Sequence, residues 1–287
     1  MRLLAGLVLT VILSTPAAAA ETPEPLWVTK DLALPESVVL DPASDALYVS
    51  NIGGEVMKKD GNGFIAKLKP DGSLVEREWL TGLDGPTGLA LHGGKLYVAD
   101  ISQLVEIDIA GKKIVNRYPA KDAIFLNDVV AAGDGTVYVS DTMTNTIWRL
   151  KDGTFEPWLK DEALNGPNGL LVQGDELIVT QFGKLPEEGK EAVLGGLLSI
   201  STNDKSVRKL GSGKPIGNLD GIELLEPGVY LVTDWAEGAL YRIDSEGKAE
   251  RLIDMNKGSA DHLYLPETKT VLIPMMIDNS LAAYSLK

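Results

Sequence analysis

The sequence predicts an all-β chain folded as a six-bladed β-propeller, and three observations carry that prediction. First, one pattern recurs six times: a polar head on an apolar run, a short turn, then a second apolar run closing on a small residue and usually Asn, Asp or Gln. Glu36, Thr87, Asn127, Asn168, Asp220 and Asp261 are the heads, and Asn51, Asp100, Asp141, Gln181, Asp234 and Met275 close the second runs. The heads return about every 40 to 50 residues, a spacing that signals radial repetition. Second, runs such as Leu96-Tyr97-Val98-Ala99 and Tyr230-Leu231-Val232-Thr233 have the composition and alternation of strands. Third, each pair is followed by a further run, such as Thr146 to Leu150, and often by a fourth, such as Arg251-Leu252-Ile253. Four-stranded antiparallel units repeated around an axis make a propeller.

Taken in order, residues 1–20 read as a secretory signal. Arg2 precedes the apolar stretch Leu3 to Leu13, and Ala18-Ala19-Ala20 offers a small-residue cleavage site before Glu21. The protein is expected to be periplasmic or secreted, with residues 21–287 forming a single domain. No later apolar stretch is long enough for a membrane helix. Leu26 to Thr29 then reads as a strand with no partner of its own, and the sixth repeat is one strand short. This segment is expected to become the outermost strand of the last blade and close the ring, removing an exposed edge. Turn signals such as Gly93-Gly94, Asp134-Gly135 and Gly174-Asp175 join the first two strands of the blades. Two longer connections, Ile52 to Phe64 and Phe182 to Gly196, are expected to rise as rim loops on the face where the second strands end.

Composition narrows the function. The formal charge is −14, and removing Arg2, the one charged side chain of the first 20 residues, takes it to −15. An acidic surface of this kind repels phosphate backbones and anionic lipid, which argues against nucleic-acid partners. Cysteine is absent, so no disulfide supports the fold. Neither a phosphate-binding glycine loop between strand and helix nor a Gly-x-Ser-x-Gly nucleophile motif is present.

The heads are all oxygen-bearing and are expected to meet at the axis, with Val38, Leu89, Val129, Leu170, Ile222 and Leu263 packing between blades. Crowded carboxylates repel one another and resist ionisation, a conflict that a bound cation resolves. Glu36 and Asp220 with Asn127 and Asn168 offer two carboxylates and two amide carbonyls, an oxygen-only set suited to a hard divalent ion. Calcium is favoured over magnesium or manganese because it tolerates irregular protein shells, and zinc is disfavoured with only His92 and His262 available. The competing reading is that Asn168-Gly169 and Asp220-Gly221 simply open strands as turn residues.

The segments Pro35-Glu36-Ser37, Phe125-Leu126-Asn127-Asp128, Gly166-Pro167-Asn168-Gly169-Leu170 and Leu219-Asp220-Gly221-Ile222 resemble the metal-ligand motifs of the SMP-30/gluconolactonase/LRE-like family of six-bladed propellers. That group includes gluconolactonases and regucalcin, with diisopropylfluorophosphatase and the paraoxonases as more distant relatives. The resemblance implies that Glu36, Asn127, Asn168 and Asp220 hold a catalytic divalent cation and that Asp220 acts as general base or nucleophile. It further implies that Asp128, or Glu223 with His262, belongs to a second calcium site. Thr87, Asp141, Gln181, Asp234, Trp235 and Asp261 are expected to line the substrate space. The chain departs from the family in lacking a recognisable His pair, since His92 falls in a turn, and in lacking an identifiable Arg for a sugar lactone.

Two functions follow as expectations. One is a calcium-dependent hydrolase of a small ester, foremost a lactone, with Asp220 or Asp128 activating water. The other is a non-catalytic exported propeller that binds a ligand or protein partner across its rim, with calcium as a structural hub.

Overall fold

The computed structural model describes residues 23–286; the signal assigned to residues 1–20 lies outside the described residues. In chain order the strands are β1 (Trp27–Thr29); β2 (Pro35–Asp41), β3 (Ala46–Asn51), β4 (Gly63–Leu68) and β5 (Leu74–Leu83); β6 (Pro86–His92), β7 (Lys95–Asp100), β8 (Gln103–Asp108) and β9 (Lys113–Pro119). They continue as β10 (Leu126–Ala131), β11 (Val137–Asp141), β12 (Thr146–Lys151) and β13 (Thr154–Lys160); β14 (Pro167–Gln173), β15 (Glu176–Gln181), β16 (Leu197–Ser201) and β17 (Val207–Lys209). The last are β18 (Leu219–Glu226), β19 (Val229–Asp234), β20 (Ala239–Asp244) and β21 (Ala249–Asp254); β22 (Leu263–Leu265), β23 (Thr270–Met275) and β24 (Ser280–Ser285). They form six four-stranded sheets, five of them in simple sequence order. The chain is a six-bladed β-propeller, as its repeat predicts.

The sixth sheet runs β22-β23-β24-β1, so the N-terminal strand is its outermost member. Trp27, Val28 and Thr29 pair antiparallel with Ala283, Ala282 and Leu281. The Thr29 hydroxyl donates to the Gly72 carbonyl of the first blade at 2.5 Å. Gly72 has φ of 83°, and a Cβ there would enter the Trp27 ring, so closing strand and first blade fit only with glycine at this position.

Within blades the turns are short because the twist of the strands selects them. His92 pairs with Lys95 across Gly93 and Gly94, whose φ values of 57° and 74° are both positive, as a two-residue hairpin turn of the right twist requires. Between blades the core is a series of apolar layers. Tyr48, Leu83, Leu89 and Val98 fill the first interface, and Ile147, Leu164, Val179 and Leu198 fill one further round. Trp79, Trp148 and Trp158 are buried in these layers, with the Tyr48 ring tilted against Trp79 at 4.6 Å and Tyr138 edge-on at 5.1 Å from Trp158. This assigns those three tryptophans to blade packing.

The innermost strands β2, β6, β10, β14, β18 and β22 surround the axis. In five of them the head is the second residue, and the pairing register slips there: between Pro35 and Val38, Pro86 and Leu89, Leu126 and Val129, Pro167 and Leu170, and Leu219 and Ile222. Two residues thus oppose one on the neighbouring strand, a β-bulge that bends the strand and re-aims the head. In the sixth blade Asp261 precedes the short β22, and its N–H donates to the Glu36 carbonyl at 3.0 Å, joining the last head to the first.

Candidate metal centre

The bulges need support, because a bulge leaves backbone groups without a ladder partner. The residue opposite supplies it in three of the five bulged blades. Ser50, Ser140 and Thr233 accept hydrogen bonds through their hydroxyls from the bulge N–H groups of Ser37, Asp128 and Gly221 at 2.9, 2.9 and 3.0 Å. Thr180 and Thr233 also donate to the Asp220 and Ala260 carbonyls of the following blades at 2.6 and 2.9 Å. These hydroxyls were absent from the predicted site. Their sequence signal is the Ser or Thr directly before the closing Asn, Asp or Gln, which the repeat pattern registers merely as small.

So held, the heads Glu36, Asn127, Asn168 and Asp220 are buried, with 5, 6, 1 and 4% of their surface exposed. Each carries one buried oxygen with no hydrogen-bond partner: Glu36 Oε2, Asn127 Oδ1, Asn168 Oδ1 and Asp220 Oδ1. Buried polar atoms are rarely left unpaired. The orientation of one amide is fixed by its nitrogen: Asn127 Nδ2 donates to Thr142 Oγ1 at 3.1 Å, and that hydroxyl donates to the Pro167 carbonyl at 2.8 Å. Thr142 therefore couples the third head to the residue preceding the fourth.

Electrostatics connect the remaining heads. The Glu36 carboxyl is held well above its usual pKa by burial and by the negative charges of Asp220, Asp261 and Asp128. Burial, Asp261 and Asp234 raise Asp220, an effect partly opposed by a hydrogen bond from Asn168. Asp128 rises through burial and the nearby Asp261, against hydrogen bonds from Leu170 and Val129 N–H. No cationic side chain contributes to any of these shifts. Four unpaired oxygens on four blades, in a field that resists ionisation, fit a divalent cation with oxygen ligands. Among the described residues no three His, Asp or Glu side chains form a ligand group by themselves, so such a site depends on the two Asn carbonyls.

Below the heads an axial cavity of about 210 Å³ is lined by Asp128, Glu223, Asp261 and His262. Val38, Leu89, Val129, Leu170 and Ile222 belong to the interblade layers and also form its walls. Burial and Asp261 push Glu223 up to about 8, burial pushes Asp261 up to about 7, and burial pushes His262 down to about 3. Neither ring nitrogen of His262 has a partner. Asp128 is fully engaged: Oδ1 accepts from Val129 N–H and Oδ2 from Leu170 N–H, each at 2.6 Å. Asp128, Glu223 and His262 share the cavity without forming a ligand cluster.

Several residues expected to line substrate do other work. Thr87 is fully buried and donates to the Leu126 carbonyl at 3.1 Å, tying the second blade to the third. Asp141 accepts from the Ile124, Phe125 and Thr144 N–H groups at 3.1, 3.2 and 3.3 Å. Gln181 accepts from Gly196 N–H and donates to the Ala163 and Leu164 carbonyls. Asp234 holds Ala236 and Glu237 N–H through Oδ1 while Oδ2 stays unpaired. A strand-end carboxylate or amide here grips the backbone of the loops. Asp261 accepts from the Ser37 hydroxyl at 2.6 Å and faces the axial cavity. Trp235 is half-buried on the face where the second strands end, beside Ile52 and Met276, with Lys257 Nζ 4.8 Å from its ring centroid and Phe182 6.3 Å away. His92 lies at the strand end beside the Gly93-Gly94 turn, away from the heads.

No protein-family model matches the chain, and no curated protein matches it in sequence. Solved structures do match it in fold. A gluconolactonase from Xanthomonas campestris aligns over 90% of this chain and 88% of its own with a TM-score of 0.68 at 18% identity. A streptogramin B lyase aligns over 90% and 96% with a TM-score of 0.60 at 12% identity. A catalytically inactive virginiamycin B lyase from Staphylococcus aureus, solved with quinupristin, aligns over 88% and 95% with a TM-score of 0.58 at 13% identity. The class defined is thus the six-bladed propeller, similar in fold to gluconolactonase and streptogramin B lyase structures, and at these identities the kinship is one of fold.

Proposed function

We propose that this chain is an exported, divalent-cation-dependent hydrolase of small neutral esters, foremost lactones, with calcium as its resident ion. The observation that carries the reading is the set of four unpaired oxygens on Glu36, Asn127, Asn168 and Asp220, one from each of four blades. A cation held there supplies Lewis-acid polarisation of an ester carbonyl and offsets the charge that develops on its oxygen. Glu36 and Asp220 supply the negative charge that retains it. Thr142 occupies the Asn127 nitrogen and leaves its buried carbonyl oxygen free to ligate. Asp220, the head whose carboxyl is flanked by the Asn168 amide, accepts the proton of the attacking water. Asp128 is a weaker candidate for that role, since both its oxygens already accept backbone hydrogen bonds. The gluconolactonase among the matched folds agrees with lactone chemistry.

The test is a panel of lactones, aryl esters and phosphotriesters assayed with calcium and after chelation, repeated on Asp220→Asn. Turnover should require the cation and disappear in the variant. Full turnover by Asp220→Asn with undiminished calcium binding overturns the assignment.

A further inference from the structure

We propose that a groove between the third and fourth blades receives a hydrocarbon arm of the substrate, so that the preferred esters are alkyl-substituted lactones instead of polyhydroxylated sugar lactones. The inference rests on reading the hub as an ester-hydrolysing centre. The groove has a volume of about 870 Å³ and lies on the face where the second strands end. Ile124 comes from the connection before β10, Met143 from the β11–β12 loop, and Phe182, Leu185 and Pro186 from the long loop after β15. Ile124 and Met143 are 51% and 55% exposed, large apolar side chains left open to a cavity of ligand size.

Continuity with the hub makes the occupant part of the substrate. Thr142 lines the groove, and its hydroxyl is the atom to which Asn127 Nδ2 donates. The groove therefore begins one hydrogen bond from the side-chain amide of a head. It is also preformed. Phe182 N–H donates to the Gly166 carbonyl at 2.7 Å, its own carbonyl accepts from Asn218 Nδ2 at 2.6 Å, and Lys184 and Val193 exchange backbone bonds at 2.8 and 2.9 Å. Asn145, on the same lining, is occupied: its Nδ2 donates to Glu162 and its Oδ1 accepts from Gly166 N–H. Lys160, Glu162, Lys184 and Glu187 also line the groove and are exposed to solvent; along Ile124, Met143, Phe182 and Leu185 sugar hydroxyls would lose water without gaining partners. An alkyl arm loses nothing polar and gains roughly fourfold in affinity per methylene, the equivalent of about 0.8 kcal/mol.

The experiment titrates calcium-loaded protein calorimetrically with 2-alkylcyclopentanones, unreactive carbocyclic analogues of lactones, carrying methyl to octyl arms. In the unaltered protein Kd should fall roughly fourfold per added methylene until the groove is filled. In the double variant I124N/M143N the dependence on arm length should drop by at least half; both side chains are half-exposed, so the fold is not at stake. A Kd independent of arm length overturns the proposal, as does a dependence unchanged in the variant. Sedimentation of both proteins adds a further outcome: a dimer that the double variant dissociates makes the groove a self-interface and overturns it too. Because the ketones do not react, their chain-length dependence is read apart from turnover. If it holds while Asp220→Asn stays fully active, the hub reading fails alone; if it is absent while Asp220→Asn is dead, the groove inference fails alone.

Discussion

Raising the pH of the cation-stripped protein should destabilise it, and calcium should reverse the loss. A carboxyl group whose pKa is higher in the folded than in the unfolded chain binds protons on folding between the two values, so stability declines as pH climbs through that window. Asp261 moves from 3.8 to about 7 and Glu223 from 4.5 to about 8. His262 acts in the opposite sense: burial lowers it from 6.5 to about 3, so its contribution is present above the upper value and lost as pH falls through the window. At 1.36 kcal/mol per pKa unit, going from pH 5 to pH 8 removes about 6 kcal/mol through the two carboxyl groups and restores about 2 through the imidazole. The net loss of about 4 kcal/mol corresponds to a fall in Tm of roughly 8–16 °C for a domain of this size. Glu36, Asp128 and Asp220 shift in the same direction as Asp261 and add to it. A cation at a thousand times its Kd contributes about 4 kcal/mol and releases the bound protons, so its benefit should grow with pH. The assay is thermal unfolding by circular dichroism at half-unit steps from pH 5 to 8, on protein passed over chelating resin, with and without calcium. A Tm that is flat or rising with pH in stripped protein, or a calcium gain equal at pH 5 and pH 8, refutes the reasoning.

Two substitutions probe the frame around the hub. A Cβ on Gly169 would enter the Asp220 backbone carbonyl, so Gly169→Ala should cost about 1–3 kcal/mol in urea denaturation and weaken calcium binding by displacing a head; unchanged affinity would detach Gly169 from the site. Deleting residues 23–30 removes β1 and bares the β24 edge, so light scattering should detect aggregation at concentrations where the full chain is monodisperse; a monodisperse deletion variant with an unaltered Tm would show that the ring does not need its closing strand.

The blades were legible because their signals are local: alternation in Leu96 to Ala99, paired glycines at Gly93 and Gly94, and a head at a near-constant interval. Even the closing strand could be inferred, from the unpartnered Leu26 to Thr29 and the missing strand of the sixth repeat. The four ligand candidates were legible because oxygen-bearing residues at one phase of a radial repeat have one place to meet. Asp141 and Gln181 show where that logic ends. An Asp that closes a strand looks the same in sequence whether it faces a ligand or holds Ile124 and Phe125 N–H, and the difference lies in a loop that arrives from another strand. The groove was hidden for the same reason, since its lining joins Ile124, Met143 and Phe182 only after two blades are side by side.

The division of labour among these polar groups bears on what the hub is for. The ring's cohesion is supplied by hydroxyls and backbone: Thr87, Thr180 and Thr233 join blades, while Asn51, Asp100, Asp141 and Gln181 anchor loops through N–H groups and carbonyls. None of that requires unpaired oxygens on Glu36, Asn127, Asn168 and Asp220, and apolar residues of similar size at these positions would relieve both desolvation and like-charge repulsion. Groups that carry desolvation and like-charge repulsion, each with one oxygen kept unpaired, mark a place where local consistency yields to function. Their chemistry, two carboxylates and two amide carbonyls with only acidic side chains acting on the charge of the carboxylates, suits a hard cation better than an anion or a proton relay through paired bases, and so supports the proposed ion.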